Sequence, residues 1–186
     1  SRCKECKINN SEKNGMPRFA VLQLSGCAGC EVSLLNAPEW IDKFQLTYMP
    51  LVSSAYNIPP LNILLISGGV RTDEDAYQLK KAVKSADRTV AVGTCALSGG
   101  VANLGNRDEV RELFLSKQER LDLPRLLPRS RPVDDFVDID LYLPGCPPTP
   151  ELFMAALTDP AGYQASTIVC QECGRKKITE MKPDHF

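Results

Sequence analysis

Apolar runs of strand length recur along this sequence and alternate with stretches of helical periodicity. Runs that are apolar on both faces are typical of strands covered on both sides, as in a parallel sheet. Four such runs are predicted strands, at residues 18–24 (RFAVLQL), 62–67 (NILLIS), 88–93 (RTVAVG) and 140–145 (DLYLPG). Residues 44–50 (FQLTYMP) form a weaker fifth candidate.

Two helical patterns lie between these runs. Thr72 is a suitable N-cap for the first helix, whose apolar positions follow the three-four spacing at Ala76, Leu79, Val83 and Ala86. The second helix is predicted to begin with a capping-box-like pair, Asn106 and Glu109. Because parallel strands need crossovers and helices usually supply them, the alternation predicts a doubly wound α/β sheet.

Residues 121–132 (LDLPRLLPRSRP) are rich in proline and arginine. They are interpreted either as an ordered surface excursion or a partner-contacting loop, or as a plain solvated connection. The pattern favours neither.

Composition limits the class of protein. A chain of 186 residues with 43% hydrophobic residues is expected to form one domain with a packed core. The 22 basic and 23 acidic side chains nearly balance, so we expect no nucleic-acid partner. We also expect no signal peptide and no membrane span, since no apolar stretch is long enough. Eight cysteines are then interpreted as metal-bound thiolates in a reducing cytoplasm, with disulfides of a secreted protein as the alternative.

Four of the cysteines follow predicted strands and have glycines beside them. Cys27 and Cys30 come after the first strand, Cys95 after the run at 88–93, and Cys146 after the last. In doubly wound sheets, ligands bind beyond the carboxyl ends of the strands. The sequence therefore predicts that the four thiols meet there in one metal or cluster site.

The spacing of the cysteines alone distinguishes poorly between an iron-sulfur cluster and zinc. Thiolates bind both iron-sulfur clusters and structural zinc. Compact zinc modules usually use two pairs from nearby loops, whereas here one pair joins two single cysteines from distant segments, which favours a cluster. A third interpretation makes Cys95 and Cys146 merely buried small hydrophobic residues.

Three motifs, GCAGCEVSLLN, VGTCALSGGVANLGN and LPGCPPTPE, resemble those of the small subunit of nickel-iron hydrogenases. That family in turn resembles the cluster-bearing small subunit of respiratory NADH dehydrogenase. The resemblance covers residues 18 to about 158. It implies a flavodoxin-like domain in which Cys27, Cys30, Cys95 and Cys146 ligate a proximal 4Fe-4S cluster.

The resemblance also implies partners. The nickel-iron centre belongs to a separate large subunit, so this chain would be a non-catalytic subunit that relays electrons to a diaphorase or ferredoxin-like module. Respiratory relatives have adjacent cysteines in the first motif, whereas Cys27 and Cys30 are separated by two residues, which fits the hydrogenase branch better. The twin-arginine leader and long C-terminal part of membrane-linked uptake hydrogenases are not found in the sequence, which indicates the short cytoplasmic type.

Two further Cys-x-x-Cys pairs lie in the tails: Cys3 with Cys6, and Cys170 with Cys173. Because the termini of a domain often lie close together, these pairs could supply four thiolates to one site. Three interpretations of these cysteines are open: they bind a second iron-sulfur cluster, they bind a structural zinc, or they are unligated or redox-active thiols.

The resulting division of the chain has three parts: an N-terminal tail (1–17), a flavodoxin-like iron-sulfur domain (18–158) and a C-terminal tail (159–186). Two other functions remain open for it. One is the small subunit of an energy-converting membrane complex, and the other is a zinc-stabilised interaction module without a redox role. Glu31, beside Cys30, is interpreted as a first-turn acid favoured by the helix dipole, without a proton role.

Overall fold

The computed structural model describes residues 15–118 and 123–159. In these ranges seven strands occur: β1 (Arg18–Gln23), β2 (Gln45–Tyr48), β3 (Leu61–Ser67), β4 (Val70–Thr72), β5 (Ala86–Val92), β6 (Leu126–Arg131) and β7 (Leu141–Leu143). The helices are α1 (Gly29–Leu35), α2 (Trp40–Lys43), α3 (Asp73–Val83), α4 (Gly93–Ser98), α5 (Asp108–Gln118) and α6 (Pro150–Thr158). Two 3-10 helices cover Gly100–Asn106 and Val133–Asp135.

Five strands form one parallel sheet in the order β2-β1-β3-β5-β7. If only these five are numbered along the chain, the order is 2-1-3-4-5, which is that of flavodoxin-like folds. The predicted doubly wound α/β sheet is confirmed. All five predicted strands are present, and the weaker candidate at 44–50 is the edge strand β2, whose residues are only partly buried.

The sheet is covered on both faces by apolar side chains. Phe19 and Val21 of β1 belong to one buried cluster, which also contains Phe153 of α6. Ala20 and Leu22, which alternate with them, belong to the other, which also contains Leu79 of α3. Because successive residues of a strand point to opposite faces, β1 needs apolar residues at every position, which explains its unbroken apolar run.

The first predicted helix is α3, and its predicted cap is confirmed. The Thr72 hydroxyl accepts a hydrogen bond from the Asp75 amide at 3.0 Å, and the Asp75 carboxylate accepts one from the Thr72 amide at 2.9 Å. The assignment of Ala86 to this helix is wrong. The helix ends at Val83, and Ala86 is the first residue of β5, paired with Leu61 of β3.

The predicted cap of the second helix is also wrong. Asn106 ends a 3-10 helix, and α5 begins at Asp108. The Asn106 amide group is used elsewhere: its oxygen accepts a hydrogen bond from the Ser130 amide at 2.7 Å. A long-range contact has therefore taken the side chain that local spacing assigns to the helix start.

Much of the segment at 121–132 is ordered. Residues 121–122 lie outside the described ranges, but β6 pairs antiparallel with β4, matching Val70 with Arg131 and Thr72 with Leu126. The interpretation as a plain solvated connection is therefore wrong for the residues of β6. Across the described ranges, no helix has the length and apolar character that a membrane crossing requires.

Candidate functional site

The four predicted ligands lie beyond the carboxyl ends of three strands of the parallel sheet. Cys27 follows β1 in a short loop, and Cys30 is in the first turn of α1. Cys95 is in α4, directly after β5, and Cys146 follows β7. All four are free thiols; Cys27 and Cys146 are exposed, while Cys30 and Cys95 are partly buried.

Gly93 shows how closely two of these segments approach. Its φ is +78°, and a Cβ atom added there would lie 2.6 Å from the Cys30 sulfur and 3.4 Å from the Gly145 carbonyl oxygen. Only a residue without a side chain fits between the segments that carry Cys30, Cys95 and Cys146.

Hydrogen bonds connect the three segments. The Thr94 amide and hydroxyl both donate to the Gly145 carbonyl oxygen, at 2.8 and 3.0 Å. The Ser33 hydroxyl donates to the Pro148 carbonyl oxygen at 2.5 Å in a buried contact. The Cys146 segment is therefore bonded to α4 on one side and to α1 on the other.

The loop that carries Cys27 is attached to the end of β3. Ser25 and Gly69 exchange two main-chain hydrogen bonds, of 3.1 and 2.9 Å. The Ser25 hydroxyl also donates to the Asp75 carboxylate at 2.9 Å, the same carboxylate that closes the capping box of α3. The first cysteine segment is thus bonded both to the residues that follow β3 and to the first turn of α3.

Burial and the neighbouring charges of the site act on the Cys30 thiol. Burial, followed by the charges on Glu31, Cys27, Cys95 and Cys146, raises the pKa of the Cys30 thiol to about 12. The three other cysteines are therefore near enough for their charges to act on Cys30. Each of these influences opposes the thiolate form of Cys30.

Glu31 is in the first turn of α1, as the sequence predicts, but it is buried, with 1% of its surface exposed. Ser67, the last residue of β3, donates a hydrogen bond from its hydroxyl to the Glu31 carboxylate. A buried carboxylate needs such a partner. Glu31 therefore fixes the start of α1, and with it Cys30, against the central strand of the sheet.

This donor set suits an iron-sulfur cluster. Thiolate is the ligand that such clusters use, and bound cations favour deprotonation of a coordinating thiol. In the described ranges, no three His, Cys, Asp or Glu side chains are spaced to hold a single metal ion. Thiolates that bind separate corners of an iron-sulfur cube stand farther apart than thiolates around one ion, so a cluster does not require that closer spacing.

The tail cysteines Cys3, Cys6, Cys170 and Cys173 lie outside the described residues. Among the described residues, the sequence did not identify Gly93, Thr94 or Ser33 as parts of the site. Gly93 and Thr94 directly precede Cys95, and Ser33 lies three residues after Cys30. The one indication in the sequence that these residues belong to the site was that they lie close to its cysteines. Their contacts with the Cys146 segment depend on the fold and have no local signature.

Comparisons with known proteins follow the same segments. A family model described as "NADH ubiquinone oxidoreductase, 20 Kd subunit" matches residues 27–159. One subunit of the F420-non-reducing hydrogenase vhu of Methanocaldococcus jannaschii is 31% identical over 180 residues, covering 86% of this chain and 62% of that protein. An iron-sulfur subunit of the F420-non-reducing hydrogenase of Archaeoglobus profundus is 26% identical over 212 residues, covering 91% of this chain and 66% of that protein.

A solved hydrogenase structure contains a chain that is also similar to this one. A chain of an NAD+-reducing [NiFe]-hydrogenase crystallised in the H2-reduced state superposes with a TM-score of 0.72 and is 29% identical. The match covers 82% of this chain and 96% of that chain. The chain spans less than two thirds of the two curated relatives, at 62% and 66% of their lengths.

Proposed function

Because this chain belongs to the NADH ubiquinone oxidoreductase 20 Kd subunit family, we propose that it is the electron-transfer small subunit of a nickel-iron hydrogenase. The relatives named above are hydrogenase subunits. In this proposal the nickel-iron centre is held by a separate large subunit, and this chain carries electrons between that centre and a diaphorase or ferredoxin-like module. The thiol-rich composition supports a reducing, cytoplasmic setting.

One observation carries the proposal: four free thiols from three distant segments stand at one edge of the sheet, and three of them lie near enough to raise the pKa of the fourth, Cys30. We assign Cys27, Cys30, Cys95 and Cys146 as ligands of a 4Fe-4S cluster. Such a cluster supplies one-electron transfer when bound. The chain holds the four sulfurs in place, and the burial of Cys30 limits the access of water on its side of the site.

The outer side of the site is open. Cys27 and Cys146 are both exposed. Exposed ligands leave the outer side of a bound cluster open to be covered by another subunit. We place the large subunit on this face, against the exposed ligands.

Anaerobic purification tests the proposal. We expect a brown protein whose absorbance bleaches with dithionite, with about four iron and four sulfide per chain for this site and about twice as much of each if the tail cysteines hold a second cluster. Cys95→Ser and Cys146→Ser should each lose this absorbance or convert it to that of another cluster. Ser98→Ala, a change on the exposed side of α4, is the control and should keep it. A colourless protein that holds zinc would contradict the electron-transfer function and favour the zinc-stabilised module.

A second candidate is the small subunit of an energy-converting membrane complex, because the matching family is itself described by NADH ubiquinone oxidoreductase. The assembly that co-purifies with the chain separates the two candidates. Nickel in the partner subunit and hydrogen-dependent dye reduction support the hydrogenase. A nickel-free partner with quinone-dependent activity supports the other complex.

The tail cysteines carry a separate proposal, in which Cys3, Cys6, Cys170 and Cys173 form one metal site. Either a second iron-sulfur cluster or a structural zinc suits four thiolates from two Cys-x-x-Cys pairs. The double substitution Cys170→Ser with Cys173→Ser should remove that metal and leave the absorbance of the proximal cluster unchanged. Metal content equal to that of the unsubstituted chain would contradict a shared tail site.

A further inference from the structure

We propose that Ser33 and Thr94 are positioning residues that hold Cys146 in place by binding the main chain on either side of it. This inference rests on the proposed function, in which Cys146 is a cluster ligand. The two contacts join the Cys146 segment to the two other cysteine segments. Neither side chain touches the cluster in this proposal, and both act through the main chain.

The Cys146 segment has few means of holding its own conformation. It follows a strand of three residues, β7, and Cys146 is itself exposed. Pro147 and Pro148 follow, and proline has no amide hydrogen to donate. The two prolines can therefore form main-chain hydrogen bonds only through their carbonyl oxygens, to donors from other parts of the chain.

The donor on the α1 side is buried. Ser33 has 7% of its surface exposed, and its hydroxyl donates to the Pro148 carbonyl oxygen at 2.5 Å, across 115 positions of sequence. Ser33 is three residues after Cys30 on the same helix. This one bond therefore relates the position of Cys30 to that of Cys146.

The donors on the α4 side are two, and they share one acceptor. The Thr94 amide and hydroxyl reach the Gly145 carbonyl oxygen at 2.8 and 3.0 Å, and the hydroxyl contact is exposed. Thr94 precedes Cys95, and Gly145 precedes Cys146. The residue before Cys95 is thus hydrogen-bonded to the residue before Cys146.

The contact with α1 and the contacts with α4 differ in how far they depend on a side-chain donor. Removing the Thr94 hydroxyl leaves the amide bond to the same oxygen, and water can replace the lost donor at an exposed site. Removing the Ser33 hydroxyl leaves the Pro148 carbonyl oxygen without that buried donor, which is the more unfavourable outcome. We therefore expect Ser33 to contribute much more than the Thr94 hydroxyl.

The test uses the full chain with its cluster bound and measures the rate at which a chelator removes iron. Ser33→Ala should lose iron about tenfold faster, the change expected when one buried hydrogen-bond partner is removed. Its reduced cluster should also give a shifted electron paramagnetic resonance spectrum. Thr94→Val should stay within about twofold of the unsubstituted chain, because a lost exposed contact has a small effect.

Ser116→Ala is the control for the loss of a serine hydroxyl, since it removes one that donates to the Leu113 carbonyl oxygen within α5 in an exposed contact. It should leave both readouts unchanged. If Ser33→Ala does not fold, Ser33→Thr keeps the hydroxyl and should retain slow iron loss.

Equal rates and spectra for Ser33→Ala and Ser116→Ala would overturn the positioning role while leaving the proposed function intact. The same conclusion follows if a folded Ser33→Thr loses iron rapidly. An unsubstituted chain that holds no iron would overturn both proposals.

Discussion

The sheet core and the cysteine edge of this molecule are stabilised in different ways. In the core, side chains such as Leu64 and Phe19 are fully buried among other apolar groups on either face of the sheet. At the edge, the contacts are individual hydrogen bonds, such as those from Ser33 and Thr94, and a glycine at 93 that leaves room for a sulfur atom.

This difference determines what each region requires from the sequence. A core accepts many apolar residues of suitable volume, because burial is non-directional. The edge depends on named atoms, because a hydrogen bond needs its donor and a close approach needs the absence of a Cβ. Substitutions in the core should therefore change stability, and substitutions at the edge should change the site.

Leu64→Ala should produce the largest loss of stability. Leu64 is at 0% exposure in the middle of β3, and truncating a buried leucine lowers the free energy of unfolding by about 2–5 kcal/mol. Chemical denaturation monitored by circular dichroism measures this. Leu113→Ala on α5, where the side chain is 61% exposed, is the matched control and should change stability by less than about 0.5 kcal/mol. Equal losses for the two variants would contradict the assignment of β3 to the core.

Gly93→Ala should mainly affect the site. The substitution places a Cβ at φ +78° and 2.6 Å from the Cys30 sulfur, so Cys30 must move, and we expect most of the iron to be lost. Strain at such a position lowers stability by about 1–3 kcal/mol. Gly15→Ala is the matched control, because Gly15 has a similar φ of +69° but no atom within 4 Å of the added Cβ. Iron content equal in the two variants would show that the approach to Cys30 is unimportant.

The sequence predicts the core well for the same physical reason. Strands buried on both faces need apolar residues at every position, so the run at 62–67 identifies β3, and the weak run at 44–50 corresponds to an edge strand with partly buried residues. The ribbon formed by β4 and β6 escaped prediction because β4 has only three residues and β6 contains Pro128 and two arginines. The buried helix α6 also has no counterpart among the predicted helices.

The site is predictable only in outline. Strand ends place Cys27, Cys30, Cys95 and Cys146 at one edge, and the resemblance drawn from their motifs to hydrogenase small subunits is confirmed by the family and its relatives. Their role as cluster ligands stays a prediction. The errors at Asn106 and Ala86 have one cause: local spacing does not show that Ser130 binds the Asn106 side chain or that Ala86 joins a strand.

Alkylation of the metal-free chain probes the edge without a substitution. The thiolate is the reactive form of cysteine, and the pKa of Cys30 is raised to about 12. Below that pH, its reaction rate with iodoacetamide should rise about tenfold for each unit of pH, because the thiolate fraction does. Peptide mapping by mass spectrometry should find Cys30 alkylated more than about tenfold more slowly than the exposed Cys27 at neutral pH. Equal rates would show that the site is open on the Cys30 side.

Thr72→Ala tests the boundary between the two regions and should have the smallest effect. Thr72 caps α3 through Asp75, and loss of an N-cap lowers the free energy of unfolding by about 1 kcal/mol. Iron loss to a chelator should not change, because Asp75 still binds Ser25 in the Cys27 loop. Thr158→Ala is the control and should change neither stability nor iron loss. Its hydroxyl donates to the Met154 carbonyl oxygen within α6, and a helix does not depend on such a side-chain contact. If Thr72→Ala accelerates iron loss, the cap of α3 helps to hold the site, and α3 must then be counted with the cysteine edge instead of the core.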